Sequence, residues 1–398
     1  MSESVKNVVI LGSTGSIGVN ALRVVEEMEG RFRVVGLSAY SNVDLLAKQV
    51  KRFKPDMASV FDEAAARAFK DRSNGHPKRH LPPGVEGMCE MVTRKDVDVV
   101  LLSVVGGVGF APLLAALKAG KTVALANKEP MVMAGRQFMI EAERWGGRIL
   151  PVDSEPSAIF QCLSSHPTPK GGMTSYGSIV NRVFLTASGG AFYKRKGSLS
   201  SVTVEEALAH PTWKMGKKIT IDCATLMNKG FETIEIMNLF GLKLNQVEVV
   251  IHPQSIIHSA AEFKDGSVLA QLSPPDMKLP IQLAMTWPER TKRVIEPLDL
   301  FSIKQLTFDK PDFRRFPCLE LAREAARIGS SMPAVLNAAD EIAVESFTQK
   351  RARFTDIPVV IEKTMKAHRV GRELPSFADI VEVDEWARAK ARSIVESL

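Results

Sequence analysis

The chain has 398 residues, 45% of them hydrophobic, and a formal net charge of +7. That length allows two or three domains with real cores. Aromatics make up only 7%, and basic residues are dispersed apart from Lys194-Arg195-Lys196 and Lys217-Lys218. This argues against a nucleic-acid-binding surface and fits small anionic molecules instead. Cys89, Cys162, Cys223 and Cys318 lie far apart, without metal-ligand or redox spacing. A reduced, cytoplasmic protein is expected. Met1-Ser2-Glu3-Ser4 carries no signal-peptide pattern.

Residues 1–150 alternate between strand and helix patterns. Val5–Leu11 is β-rich, a glycine run follows, and Val19–Glu29 is helical. Phe32–Leu37, Met57–Phe61, Val97–Val104, Val123–Ala126 and Arg148–Val152 read as further strands, with Leu45–Phe53 helical and Asp71–Gly84 a polar loop. Val99 to Leu117 carries no charge and approaches a membrane span in length. Its glycines and Pro112 favour strand, turn and helix, and no membrane association is expected. Residues 151–290 place long polar loops, Ser164–Ser178 and Tyr193–Ser201, between the strands Arg182–Thr186, Val247–Ile251 and Ser267–Gln271. Residues 291–312 read as a linker. Cys318–Arg327, Pro333–Gln349 and Pro358–His368 are helical. The predicted fold is α/β: a Rossmann-like doubly wound parallel sheet over 1–150, a central α+β domain over 151–290, and a helical domain over 313–398.

Gly12-Ser13-Thr14-Gly15-Ser16-Ile17-Gly18 follows the first strand and opens a helix. Glycines there let backbone approach a pyrophosphate, and Ser13, Thr14 and Ser16 add hydroxyl donors. A plain glycine turn is the competing reading. The second strand ends in Ser38-Ala39-Tyr40-Ser41-Asn42, with no acid for a ribose 2′-hydroxyl. That favours NADP over NAD, although no Arg or Lys stands nearby in sequence.

Pro151-Val152-Asp153-Ser154-Glu155 holds two carboxylates two residues apart. Read as a strand over Ile149–Asp153, it would point both acids to one side. Like charges so close need a cation or a shared proton. Farther on, Asn228 and Glu232 share a face if Asn228-Lys229-Gly230-Phe231-Glu232 is helical. Hard oxygen ligands without a His–Cys cluster suit Mg²⁺ or Mn²⁺.

Lys128 and Glu129 follow the strand Val123–Leu125, where sheet ligands gather. An exposed lysine and a helix-start glutamate would look the same. Thr186-Ala187-Ser188-Gly189-Gly190 could bind phosphate or simply turn. His210-Pro211-Thr212-Trp213-Lys214-Met215-Gly216-Lys217-Lys218 packs an aromatic, a methionine and three lysines into a segment able to close over a ligand.

With these residues in view, the chain resembles the 1-deoxy-D-xylulose 5-phosphate reductoisomerase family over nearly its whole length. The match includes Gly12–Gly18, Leu125–Glu129, Val152–Ala158, His210–Gly216, Met227–Glu232, His252–Ser259 and Asp265–Met277. The resemblance implies an NADPH-dependent enzyme needing Mg²⁺, Mn²⁺ or Co²⁺. By it, Asp153, Glu155 and Glu232 match metal ligands. Lys128, Ser154, Glu155, Ser188, His210, Asn228, Lys229 and Glu232 match substrate contacts, with Glu155, Lys128 and His210 nearest the chemistry. Cys223 stands where the family has a phosphate-contacting serine. Thr14, Gly15, Ser16, Ile17, Asn42, Asn127, Glu129 and Gly216 match cofactor contacts. The segment around Trp213 and Met215 matches a mobile flap. The implied reaction is a retroaldol–aldol rearrangement of a phosphorylated ketose followed by reduction, and a homodimer is implied as well. A semialdehyde- or homoserine-type NADP dehydrogenase is the alternative, with a non-catalytic nucleotide sensor behind it.

Overall fold

The computed structural model describes residues 5–73, 76–164, 176–213 and 215–398. In chain order the elements begin β1 (Lys6–Leu11), α1 (Ser16–Glu27), β2 (Phe32–Ala39), α2 (Val43–Phe53), β3 (Met57–Val60), α3 (Glu63–Arg72) and β4 (Arg79–His80). Next come α4 (Gly84–Val92), β5 (Val99–Leu102), α5 (Phe110–Lys118), β6 (Thr122–Leu125), α6 (Glu129–Trp145), β7 (Arg148–Pro151) and α7 (Ser154–Leu163). Then follow β8 (Val180–Ala187), α8 (Val204–Ala207), α9 (Lys217–Thr225), α10 (Met227–Phe240), β9 (Val247–Ile251), β10 (Ile257–Phe263), β11 (Val268–Leu272) and α11 (Lys278–Thr286). The chain finishes with α12 (Pro317–Ile328), α13 (Met332–Thr348), α14 (Asp356–Ala367) and α15 (Phe377–Glu396).

These elements form two compact units: Met1–Pro130 with Phe138–Ser157 and Asp276–Glu296, and Met131–Gln137 with Ala158–Pro275 and Pro297–Leu398. The first unit holds a seven-stranded sheet in the order β4-β3-β2-β1-β5-β6-β7, parallel at every ladder. Residues of β3 and β5 are buried throughout, because helices cover both faces. The strand order reverses between β1 and β5, which is where such sheets open a ligand crevice. The doubly wound sheet expected from the alternating pattern is therefore present. In the uncharged stretch, β5 is followed by a short 3₁₀ turn at Gly106–Gly109 and then α5. Among the described residues, no helix is long and apolar enough to cross a membrane.

The second unit carries a mixed sheet in the order β11-β10-β8-β9, parallel only between β8 and β9. Beside it, α9, α10 and α12 to α15 pack as a helical layer, in which α13 is buried almost throughout. Caps fix several helix starts. Ser376 and Asp379 exchange backbone and side-chain hydrogen bonds at α15, and Thr203 and Glu206 do the same at α8. The expected loop Ser164–Ser178 falls mainly on residues 165–175, outside those described.

Candidate active site

In the first unit the glycine turn joins β1 to α1. Gly12 has φ +81°, and a Cβ there would lie 2.6 Å from Ser103 O. A Cβ on Gly18 would lie 2.4 Å from Gly12 O. Both glycines are thus demanded by the fold itself. Gly15 differs: it is exposed, its φ is −77°, and the nearest atom to an added Cβ is 3.4 Å away. Among the described residues nothing requires that glycine, whereas close approach of a phosphate would. Ser16 and Ile17 follow at the start of α1, where the first N–H groups lack intrahelical partners. The sequence reading of Ser13 as a phosphate donor is overturned. Its buried hydroxyl donates to Gln49 Oε1 at 2.7 Å, and Gln49 Nε2 donates back to Ser13 O at 2.8 Å.

At the end of β2, Asn42 caps α2 by accepting from Leu45 N at 3.2 Å. Tyr40 is largely exposed and stacks on Phe61, ring centres 5.0 Å apart. The local sequence offers no cation, yet the fold brings one: Arg72, the last residue of α3, pairs with Asp44 in the first turn of α2.

Two neighbouring strand ends are built alike. β6 and β7 pair with Leu125 opposite Pro151, and each runs into a helix whose first turn carries Glu-Pro. Proline fits there because the first helical N–H groups have no acceptor, and glutamate complements the dipole. This register places Lys128, three residues past Leu125, beside Asp153, two past Pro151, and the two form an ion pair. The strand expected through Asp153 stops at Pro151. Asp153 instead precedes α7, its carbonyl accepting from Ser157 N at 2.9 Å and its carboxylate from Ser154 N at 3.1 Å. Glu155 lies in the first turn and accepts from Ser154 Oγ at 2.7 Å. The two acids are therefore neighbours through a helix start rather than through strand alternation. Asn127, Lys128 and Glu129 are all buried. Asn127 Nδ2 donates to Glu129 and to Gly106 O, while its Oδ1 has no hydrogen-bond partner among the described residues.

In the second unit β8 ends in the turn carrying Ser188. Gly189 and Gly190 have φ of +90° and +68°, and a Cβ on Gly190 would lie 2.4 Å from Cys223 O. That close approach seats the end of α9 on the Ser188 turn. His210 Nδ1 accepts from Thr212 N at 3.1 Å and from Trp213 N at 2.9 Å. Its proton must then be on Nε2, which donates to Ser188 Oγ at 2.9 Å. Burial, then the charge of Lys229, pulls the His210 pKa down to about 4. Trp213 lies 6.4 Å from the His258 ring, and Lys214 is outside the described residues.

Helices α9 and α10 meet at Leu226, which takes φ +61°. A left-handed leucine costs roughly 1–2 kcal/mol, and here it makes a one-residue corner. Beyond it Asn228, Lys229 and Glu232 are 5, 4 and 0% exposed. The helical face expected from the sequence forms: Asn228 Nδ2 donates to Glu232 Oε1 at 2.5 Å, and Lys229 Nζ to Glu232 Oε2 at 2.6 Å.

A parallel sheet whose first turn keeps a glycine that the protein itself does not need is the framework of a dinucleotide-dependent oxidoreductase. Family models described as 1-deoxy-D-xylulose 5-phosphate reductoisomerase match residues 8–135, and the corresponding C-terminal domains match 149–240 and 272–390. The chain is 52% identical over 390 residues to the 1-deoxy-D-xylulose 5-phosphate reductoisomerase of Elusimicrobium minutum, covering 98% of this chain and 97% of that one. It is 48% identical to the enzyme of that name from Trichlorobacter lovleyi, covering 99% and 98%. Among solved structures, the Zymomonas mobilis enzyme in complex with NADPH is 38% identical with a TM-score of 0.89, covering 99% and 100%. A reductoisomerase in complex with NADPH, fosmidomycin and magnesium is 39% identical with a TM-score of 0.92, covering 98% of each. The chain belongs to the 1-deoxy-D-xylulose 5-phosphate reductoisomerase family.

Proposed function

We infer that this protein rearranges 1-deoxy-D-xylulose 5-phosphate and reduces the product to 2-C-methyl-D-erythritol 4-phosphate, using NADPH and a divalent cation. The full-length family match carries this reading. The reaction belongs to non-mevalonate isoprenoid biosynthesis. The dehydrogenase alternative, which rested on a dinucleotide domain joined to an α+β domain, loses its ground to a family match over nearly the whole chain.

The residues fit both groups. For NADPH, the proposed contacts are Thr14, Gly15, Ser16 and Ile17 at the pyrophosphate, where the exposed Gly15 lets a ligand approach the backbone closely, and Asn42 at the ribose. Asn127 Oδ1 is a buried acceptor without a protein donor among the described residues, suited to an amide. Glu129 and Gly216 complete the proposed contacts. For the cation, Asp153, Glu155 and Glu232 supply carboxylate oxygens, with no thiol or imidazole in the group. Hard oxygens suit Mg²⁺, Mn²⁺ or Co²⁺. When bound, NADPH supplies hydride and the cation polarises the substrate carbonyl.

The protein's own groups do the rest. Lys128 and Lys229 hold ammonium groups beside the acids, and both can turn to an anionic substrate. Ser188 takes its proton donor from His210 and is left with a hydroxyl hydrogen for phosphate. Asn228 adds an amide, and Cys223 contributes the end of α9, where a thiol donates more weakly than the family's serine. Ser154 contacts substrate hydroxyls, and Glu155 can move a proton as well as ligate. The flap carrying Trp213 and Met215 closes to exclude water. We also propose a cytoplasmic homodimer, which sedimentation velocity would test.

The decisive assay is NADPH oxidation with 1-deoxy-D-xylulose 5-phosphate, with and without Mg²⁺ or Mn²⁺. Asp153→Asn and Glu232→Gln should lose most turnover yet keep their circular dichroism. Full turnover without divalent cation would sink the metal assignment. Lys229→Ala should raise KM for the ketose phosphate.

A further inference from the structure

Lys218 sits in the first turn of α9, where a positive charge opposes the helix dipole. Local helix preference therefore does not account for it, and no step above uses it. Its ammonium donates to Asp222 at 2.6 Å, one turn along α9, and to Asp340 at 2.8 Å on α13. The same nitrogen stands 4.6 Å from the centre of the Phe231 ring on α10. The side chain of Asp222 is 4% exposed and that of Asp340 is 0%. One cation thus ties together three helices.

The place of this tie matters. α9 follows its N-cap Gly216, carries Cys223 in its last turn and ends at Thr225, and the single residue Leu226 turns the chain into α10. With so short a corner, any tilt of α9 passes directly to Asn228, Lys229 and Glu232. Phe231 lies within that same run and feels the ammonium on its ring face. α13 is a long, buried helix and supplies a fixed reference for the tie.

We propose that Lys218 and Asp340, with Asp222 and Phe231 beside them, are positioning residues that set the α9–α10 corner for binding the substrate phosphate. This rests on the assignment of Cys223, Asn228 and Lys229 to that phosphate. The brace acts through geometry, so an uncharged acceptor at position 340 should replace the acid, whereas an apolar side chain should not.

The test uses full-length protein and steady-state kinetics with 1-deoxy-D-xylulose 5-phosphate at saturating NADPH and Mg²⁺. Asp340→Leu leaves Lys218 paired with Asp222, so it strands no buried charge, and it should raise KM about tenfold with a smaller change in kcat. Asp340→Asn should keep KM near the parent value. Should Asp340→Leu fail to fold, the triple variant Lys218→Met/Asp222→Asn/Asp340→Leu removes the ammonium and both buried acids, strands no charge, and is expected to show the same KM rise. A lowered melting temperature with unchanged KM would mean a purely structural tie and would overturn the proposal. So would an equal KM rise in the Asn and Leu variants. If Lys229→Ala raises KM and Asp340→Leu does not, the brace fails while the phosphate assignment stands. If neither does, the phosphate assignment itself is at fault.

Discussion

His210 shows how one side chain's environment chooses its protonation state. Two backbone N–H groups point at Nδ1, so a proton there would break both bonds. With its pKa near 4, against an ordinary 6.5, the ring stays neutral through the physiological range. The folded state therefore takes up fewer protons than the unfolded chain between those values. Stability from this residue is complete above about pH 6.5 and is lost as pH falls towards 4. Nitrogen-15 NMR of the ligand-free protein should find the Nε2–H tautomer at pH 6, and an imidazolium signal there would contradict the assignment. The sequence could single out His210 by its neighbours, but not its tautomer, which depends on the turn at Thr212 and Trp213. Cys223 makes a second residue-scale case. The carbonyl, not the thiol, meets Gly190. Cys223→Ser is expected to leave the turn intact and to keep or lower KM for the phosphorylated ketose. A collapse of activity would mean that the thiol has another duty.

At the scale of elements, the turn from β1 to α1 separates folding from binding. Gly12→Ala forces a side chain into a left-handed backbone and against Ser103 O, and should cost at least about 1 kcal/mol of stability. Gly15→Ala should melt like the parent but raise KM for NADPH. Equal melting temperatures for the two variants would refute this division. The G-x-x-G-x-x-G spacing was legible, whereas the different reason for each glycine was not, since those reasons are atoms of Ser103, Ser13 and Gly12. The acids tell a similar story. Their pairing across Asp153 and Glu155 was readable, but the strand assigned to them gave way to a helix start. Apolar residues before Pro151 favour either reading locally, and Ser157 N bonding to Asp153 O decides it. The His252–Ser259 motif also carries a structural duty: His252 Nε2 accepts from Ile256 and Ile257 N, both at 3.2 Å, and fixes the bend into β10.

Over the whole molecule, the strand–helix alternation announced the parallel sheet, because buried central strands have a strong apolar signature. The second sheet was less legible: β8, β9 and β11 were visible but β10 was not, and the pairings β10-β8 and β8-β9 join segments distant in sequence. The same distance hid the partners Gln49, Arg72 and Asp340, which lie 36, 28 and 122 residues from Ser13, Asp44 and Lys218. Asp153 and Glu232 each already hold a lysine ammonium. If Asp153 and Glu232 hold the cation as proposed, loading magnesium replaces a lysine ammonium on each acid, so folding should not wait for metal. A chelator should abolish turnover while leaving the melting temperature nearly unchanged, and a large drop would point to a structural ion. On the same proposal, amines displaced from their acids would become receptors for an anion. Order of loading follows from that chemistry. Calorimetry should find the sugar phosphate binding more tightly after the metal than before it, as if the enzyme kept its anion receptors locked until the ion turned the key.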